Sequence, residues 1–351
     1  MTETATTHST VGTAAGPPGV DLAALRAHLE AERPGLVTGP LRGTVLEGGH
    51  SNLTYEVTDG ASRWVLRRPP LGERDSRSHD MGRESRVMAA LAGSAIPVPA
   101  VVHHCADATV LGAPFYLSEF VEGTVYRTPE QTARLGAERA RQVSFALVDT
   151  LADMHEVDVE SVGLGDFGRP AGFLQRQVTR WTGQAETVLA QVAGVAGVVE
   201  RLRAGVPDTG RPALVHGDYR LDNVLVSGEG LLAAVLDWEL ATLGDPLTDL
   251  GLLQCYWDGV ENPGGDTMRK GIDPALGFPE FGELAERYAA RTGRAPERLS
   301  WYAAFGYLKL AVLRGHIHRR FLAGDTPEGF ADVGALIAPL VAQSRRTLEA
   351  T

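Results

Sequence analysis

Apolar residues first recur at helical spacing. Leu22, Leu25 and Leu29 follow Asp21, a good N-cap, and predict a helix to about residue 32, ended by Pro34 and Gly35. A strand-like pattern comes next. Residues 41–46 and 53–57 flank the turn Glu47-Gly48-Gly49-His50-Ser51-Asn52. Asp59-Gly60 is a hairpin turn leading into a strand at 63–68, which Pro69-Pro70 stops. Met81, Met88 and Leu91 predict a helix over 80–91, and residues 101–104 and 114–121 read as two further strands. This first third is a small antiparallel sheet with one inserted helix. After Gly123 the period becomes helical, over 130–156, 172–204, 280–292 and 298–322, interrupted by a strand hairpin at 224–236. The Gly- and Pro-rich stretch 259–279 reads as a long loop, often a functional feature in compact domains. The whole predicts an α+β fold with a disordered lead-in at 1–19 and two parts, 20–121 and 122–351.

Composition narrows the function. A length of 351 residues favours two lobes over one. A net charge of −11 argues against a nucleic-acid partner, and no run of about 18 apolar residues offers a membrane span. The polar start lacks a secretory pattern, and Cys105 and Cys255 form neither a CxxC pair nor a disulfide framework, so the expected location is cytoplasmic. Among 33 basic residues only Lys270 and Lys309 are lysines, so no lysine is available to the first lobe.

The strongest chemical signal is Val215-His216-Gly217-Asp218-Tyr219-Arg220-Leu221-Asp222-Asn223, with Asp237 fourteen residues beyond Asn223 inside Leu236-Asp237-Trp238-Glu239. The intervening hairpin would return the chain, so Asp218, Asn223 and Asp237 can converge. Phosphoryl transfer needs such a set: a carboxylate for the attacking hydroxyl, and oxygen ligands for a hard cation. Asp218 fits the first role; Asn223 and Asp237 fit the second. Two other matches are decoys. Gly163-Leu-Gly165-Asp-Phe-Gly168 fits a dinucleotide fingerprint and contains Asp166-Phe167-Gly168, but a helix precedes it and Arg169-Pro170 follows.

HGDxxxxN followed by an apolar strand and Asp-Trp-Glu resembles the aminoglycoside phosphotransferase and choline kinase group, within the protein-kinase-like fold. Gly244-Asp245-Pro246-Leu247-Thr248-Asp249-Leu250 extends the likeness, which covers about residues 40–325. The resemblance implies a two-lobed, ATP- and Mg2+-dependent small-molecule kinase, with a small antiparallel β-sheet N-lobe and a larger, mostly helical C-lobe. It matches Asp218 to the catalytic base and Asn223 and Asp237 to the Mg2+ ligands. His216, Asp245 and Asp249 look architectural, the last two as helix cap and loop anchor. The turn with Gly48, Gly49, Ser51 and Asn52 would lay N–H groups over phosphates. On the strand 63–68, Val65 matches the adenine side and Arg67 the phosphate side, where protein kinases carry lysine, with Glu84 as the partner of Arg67. Residues 119–123, including Glu119 and Val121, would meet adenine through backbone groups.

The stretches Gly49-His50-Ser51-Asn52-Leu53-Thr54-Tyr55 and Val65-Leu66-Arg67-Arg68-Pro69-Pro70, with Gly163-Leu164-Gly165 and Arg176-Gln177-Val178 to Trp181, resemble phosphotransferases related to the kinase domain fused to some acyl-CoA dehydrogenases. That subgroup implies a hydroxyacyl-CoA or similar hydroxy acid as the small-molecule acceptor. A cluster of Arg314, His316, His318, Arg319 and Arg320 on one predicted helix could receive an anion. The competing acceptor is an aminoglycoside, which Asp258, Glu261 and Asp266 in the long loop would suit. A third expectation, from another class, is a nucleotide-binding pseudokinase scaffold. The oligomeric state is left open.

Overall fold

A computed structural model describes residues 16–46, 52–72, 79–260, 268–269, 271–324 and 331–350. In chain order the elements are α1 (Leu22–Glu32), β1 (Arg42–Val45), β2 (Leu53–Thr58), β3 (Arg63–Arg68), α2 (Met81–Leu91), β4 (Val101–Cys105), α3 (Ala108–Leu111) and β5 (Phe115–Glu119). There follow α4 (Pro129–Ala133), α5 (Ala137–His155), α6 (Phe173–Val188), α7 (Val195–Ala204), β6 (Ala213–Val215), β7 (Val224–Val226), β8 (Leu232–Val235) and β9 (Thr242–Gly244). The last are α8 (Leu247–Asp258), α9 (Phe281–Thr292), α10 (Leu299–Leu322) and α11 (Ile337–Glu349). The chain forms two compact units, Met1–Glu122 with Ala233–Leu240, and Gly123–Leu232 with Ala241–Thr351.

The first unit holds a five-stranded antiparallel sheet in the order β1-β2-β3-β5-β4. Its core joins Leu25 and Leu29 of α1 to Tyr55, Val57, Leu66 and Leu117 of the sheet. The predicted helix start holds, since the Asp21 carboxylate accepts the N–H groups of Ala23 and Ala24 at 2.9 and 3.0 Å. The Asp59-Gly60 turn is held by its own side chain. Asp59 accepts from Ala61 and Ser62 at 2.9 and 2.7 Å and from Thr38, and these bonds keep its carboxyl below the usual range. Alternation along β3 turns Trp64, Leu66 and Arg68 inward and Val65 and Arg67 to the other face. Arg68 is buried rather than a solvated strand charge. Its guanidinium donates to the carbonyls of Leu111, at 2.8 Å, and of Gly19.

The second unit is mostly helical, and its helices are shorter than the apolar period suggests. The expected helix 130–156 is α4 and α5, parted at Gly136 with φ 74°. The expected helix 172–204 is α6 and α7, parted before α7 by Gly194 with φ 85°. Both glycines sit in left-handed backbone that L side chains avoid. Two helices, α8 and α11, lie outside the predicted set. In α8, Leu250, Gly251, Leu252, Leu253, Cys255 and Trp257 are all buried, so no polar face marks its period. The pair β6 and β9, three residues each, is too short to show an alternation.

Close packing of α8 on α10 depends on Gly251. A Cβ there would stand 2.6 Å from the Tyr302 carbonyl carbon and 2.9 Å from the Ala303 nitrogen. An exposed helical Gly→Ala change usually stabilises by about 1 kcal/mol. Here the obstacle is backbone, which cannot rotate aside. Gly251→Ala should instead destabilise by about 2 kcal/mol, the scale of core overpacking. Urea unfolding of the two proteins checks this; an equal or higher midpoint for the variant would contradict the packing argument.

Candidate active site

In the first unit one guanidinium gathers the acids. Arg67 Nη1 lies 3.1 Å from Glu84 Oε1 on α2, and Nη2 lies 2.6 Å from Asp237 Oδ1 and 3.8 Å from Glu239 Oε2. Asn52 Nδ2 donates to Glu239 Oε2 at 3.0 Å, and Asn52 Oδ1 is 2.7 Å from His79 Nδ1. Glu84 is 1% exposed, with the Tyr116 hydroxyl and the Trp238 N–H nearby. Burial pushes its carboxyl up to about 7 against the pull of Arg67, with the Asp237 charge adding to the rise. The same acids keep the Arg67 guanidinium further from deprotonation than usual. Asp237 has φ 66°, a left-handed backbone shared among the described non-glycine residues only with Arg298. Three carboxylates around one arginine leave a negative balance, with oxygen donors suited to a hard cation.

In the second unit a loop leaves β6 at His216. The buried Asp249 carboxylate accepts the N–H groups of His216 and Gly217 at 2.7 and 2.8 Å and lies 3.4 Å from His155 Nε2. Burial alone would raise the Asp249 carboxyl; its donors hold it below the usual range instead. Lys309 Nζ donates to the Gly217 carbonyl at 3.0 Å, so the next peptide is tied from both ends. Asp218 then receives two clamps. Tyr256 donates its hydroxyl to Oδ1 at 3.0 Å, and Asn223 Nδ2 donates to Oδ2 at 3.1 Å and to the Asp218 carbonyl at 2.8 Å. Arg220 Nε stands 3.4 Å from Oδ2. Burial and the Asp218 charge push the Tyr256 phenol up, so it remains a donor. The Asp218 side chain keeps 24% exposure, an acceptor still open to solvent.

The family model of the "phosphotransferase enzyme family" matches residues 42–302. The chain belongs to that family. Among relatives, it is 32% identical over 312 residues to mouse (Mus musculus) acyl-CoA dehydrogenase family member 10, a match covering 87% of the chain and 29% of the relative. The chain thus spans under a third of that relative's length. Among solved structures, a putative aminoglycoside phosphotransferase from Ralstonia eutropha is 31% identical with a TM-score of 0.78, covering 94% of this chain and 98% of the other. A thermostable mutant of an aminoglycoside phosphotransferase, in ternary complex with ADP and hygromycin B, shares the fold. Its TM-score is 0.58 at 17% identity, covering 87% of this chain and 92% of that one. The phosphotransferase therefore has a protein-kinase-like fold, with a five-stranded antiparallel sheet in one unit and a largely helical remainder.

Within this phosphotransferase the structure brings together Arg67, Glu84 and Asp237 in one unit, and Asp218 with Asn223 in the other. Val65 shares a sheet face with Arg67, Glu119 ends β5 with its N–H on the Ala100 carbonyl at 2.8 Å, and Val121 is partly exposed. Gly48, Gly49 and Ser51 lie outside the described residues, while Asn52 is buried on Glu239. The 163–168 decoy is a loop between α5 and α6, anchored by buried Leu164 and Phe167. The motifs named no role for Glu239, Tyr256 or Lys309. Glu239 was in view within Asp-Trp-Glu, and Lys309 was one of two lysines. Tyr256 follows Asp249 by seven residues, a same-face helical spacing that becomes readable once α8 is recognised.

Glu84 gives the first unit a pH signature. Its carboxyl is raised from 4.5 to about 7 in the fold. A raised folded value favours the protonated native state, so this contribution is complete below pH 4.5 and is lost as pH climbs through about 7. The shift corresponds to about 3 kcal/mol. Relative to Glu84→Gln, wild type should lose up to that much stability between about pH 4.5 and pH 8. Urea titrations at both pH values test it; parallel pH profiles would refute the assignment.

Proposed function

We propose that this phosphotransferase moves the γ-phosphoryl group of ATP to a hydroxyl of a small acceptor. The observation that carries the reading is the Asp218 carboxylate, held at one oxygen by Tyr256 and at the other by Asn223, yet partly open. A carboxylate so fixed can accept an acceptor hydroxyl's hydrogen bond and take its proton late in the transfer, leaving the hydroxyl oxygen to attack phosphorus.

The donor set fits Mg2+. Asn223 spends its amide Nδ2 on Asp218, which leaves Oδ1 as its oxygen donor. Asp237 meets Arg67 through Oδ1 and retains Oδ2. Asn223 and Asp237 would hold the ion, which when bound neutralises phosphate charge. Arg67, set by Glu84, would steady phosphate, a task a guanidinium performs differently from a lysine point charge. The turn with Gly48, Gly49, Ser51 and Asn52 would cover the phosphates. Val65, Glu119 and Val121 would border the adenine.

For the acceptor, the favoured reading is a hydroxyacyl-CoA. Arg220 and Arg269 line one small pocket of the second unit with Asp222, Tyr126, Tyr256 and Met268, and Arg220 lies 3.4 Å from Asp218 and 3.6 Å from Asp222. Of the loop acids, Asp258 is taken by Gln254 Nε2 at 3.0 Å, while Glu261 and Asp266 lie outside the described residues. The named relative, an acyl-CoA dehydrogenase family member, supports an acyl acceptor. On α10, Arg319 donates to the Thr187 carbonyl at 3.0 Å and His316 lies 3.1 Å from Gln184, so part of the basic cluster packs on α6. No described helix is long and apolar enough to cross a membrane. Two free, buried cysteines accord with a cytoplasmic enzyme.

ADP release from Mg-ATP with a 4-hydroxyacyl-CoA and with kanamycin tests the reading. Wild type should turn over the acyl acceptor, and Asp218→Asn should lose about 100-fold or more in kcat with nucleotide affinity kept. Asp237→Ala should weaken Mg-ATP about tenfold or more by calorimetry. Full turnover by Asp218→Asn would remove the base role. ATP binding with no turnover of either acceptor would favour the scaffold.

A further inference from the structure

A second cluster of chemically capable side chains lies in the first unit and has no part in the proposed transfer. The alternation of β4 puts His103 and Cys105 on one face of the strand, with His104 on the other. Opposite them, α1 presents His28, beside the buried Leu25 and Leu29. His28 Nε2 and His103 Nε2 are 2.9 Å apart, and ligand atoms of His28, His103 and Cys105 all lie within 4.8 Å of one another. The two imidazoles stand 5.0 Å apart between centroids, and each packs on Phe115, at 6.0 and 6.4 Å. Their orientation is thus set by the core. The histidines are half-buried while Cys105 is 4% exposed, so solvent reaches the imidazoles and the thiol backs them.

We propose that His28, His103 and Cys105 form a transition-metal site, suited to Zn2+, that clips α1 to β4. Two imidazole nitrogens and one sulfur are a donor set that zinc prefers, with a fourth position left for water. Tetrahedral zinc needs nitrogen ligands roughly 3.3 Å apart and a sulfur at about 2.3 Å from the ion. The histidines meet this by separating a few tenths of an ångström, and the thiol by swinging inward about its side-chain torsions. Binding breaks the contact between the two Nε2 atoms and that of the Cys105 thiol with the Asp107 carbonyl at 3.5 Å. The ring that donates in the first contact gives up its Nε2 proton, so that each ring carries its proton on Nδ1, and Cys105 releases its proton to solvent as its sulfur coordinates. Glu32 and Asp107 add negative charge beside the cluster, and Arg33 opposes them. The alternative is a bare hydrogen bond between two imidazoles, with the thiol a bystander.

Cobalt titration of the full chain separates the two, because a cobalt–thiolate bond gives a near-ultraviolet charge-transfer band. The chain has only two cysteines, and the other, Cys255, is spent on the Gly251 and Ala303 carbonyls. Wild type should develop the band to one equivalent, and Zn2+ should bleach it. Cys105→Ser should abolish it and Cys255→Ser should keep it. His28→Gln, a change on a half-buried helix face, should weaken cobalt binding at least about tenfold. It should also remove the rise in Tm that Zn2+ gives wild type. Absence of the band, its loss in Cys255→Ser, or an equal Zn2+-induced rise in His28→Gln would each overturn the site.

Discussion

Asp249 stands in the first turn of α8, and its carboxylate accepts the N–H groups of two successive residues, His216 and Gly217. A charge this deeply buried is costly unless donors replace the lost water. Here backbone N–H groups and His155 do so, and they hold the carboxyl below the usual range despite burial. The geometry downstream follows from this one group. With the Gly217 N–H on Asp249 and its carbonyl on Lys309, the peptide entering Asp218 has little freedom. Gly217 itself has φ 88°, which only glycine adopts at low cost. The same helix then supplies Tyr256, two turns on, to the Asp218 carboxylate. One helix therefore both suspends the loop and aims its acid.

The first unit solves a different electrostatic problem. Arg67 faces acids from separate segments, Glu84 on α2 and Asp237 beyond β8. A planar guanidinium can meet two carboxylates through different nitrogens, whereas an ammonium offers a single point of charge. The absence of lysine in this part of the chain is thus compatible with a firmly placed cation. The burial of Glu84 makes the arrangement pH-sensitive, because desolvation opposes the ionic form that Arg67 favours.

Much of this was legible in the residues, for identifiable reasons. The strands of the sheet were readable because one face is buried and the turns carry their own chemistry, as at Asp59. Helix ends were less so. Apolar period runs on through Gly136 and Gly194, and only the backbone shows that each glycine turns left-handed. Helix α8 escaped notice because it is buried almost all round. The candidate site residues rest on inventory and spacing, which bring Asp218 and Asn223 into one loop. Contacts across long separations were not accessible that way. Nothing in the spacing of Arg67 and Asp237, 170 residues apart, fixes a 2.6 Å contact. Tyr256 was hidden twice, first with its helix and then as an apolar-looking residue in a buried run.

The partners of Asp218 bear on what kind of base the proposed chemistry asks for. A hydroxyl donor on one oxygen and an amide donor on the other fix the direction of the carboxylate. That arrangement orients an attacking hydroxyl. It suits a transfer in which the phosphorus–oxygen bond to the leaving group is largely broken before the proton moves. In that sequence the carboxylate must first orient the hydroxyl, and its basicity matters only once the attacking oxygen has become acidic. Tyr256 is well matched to the task, because burial and the adjacent charge push its phenol up and keep it a donor. Histidine in its place would titrate near neutrality and let the aim of Asp218 drift with pH. On this reasoning the clamp serves constant direction of the carboxylate.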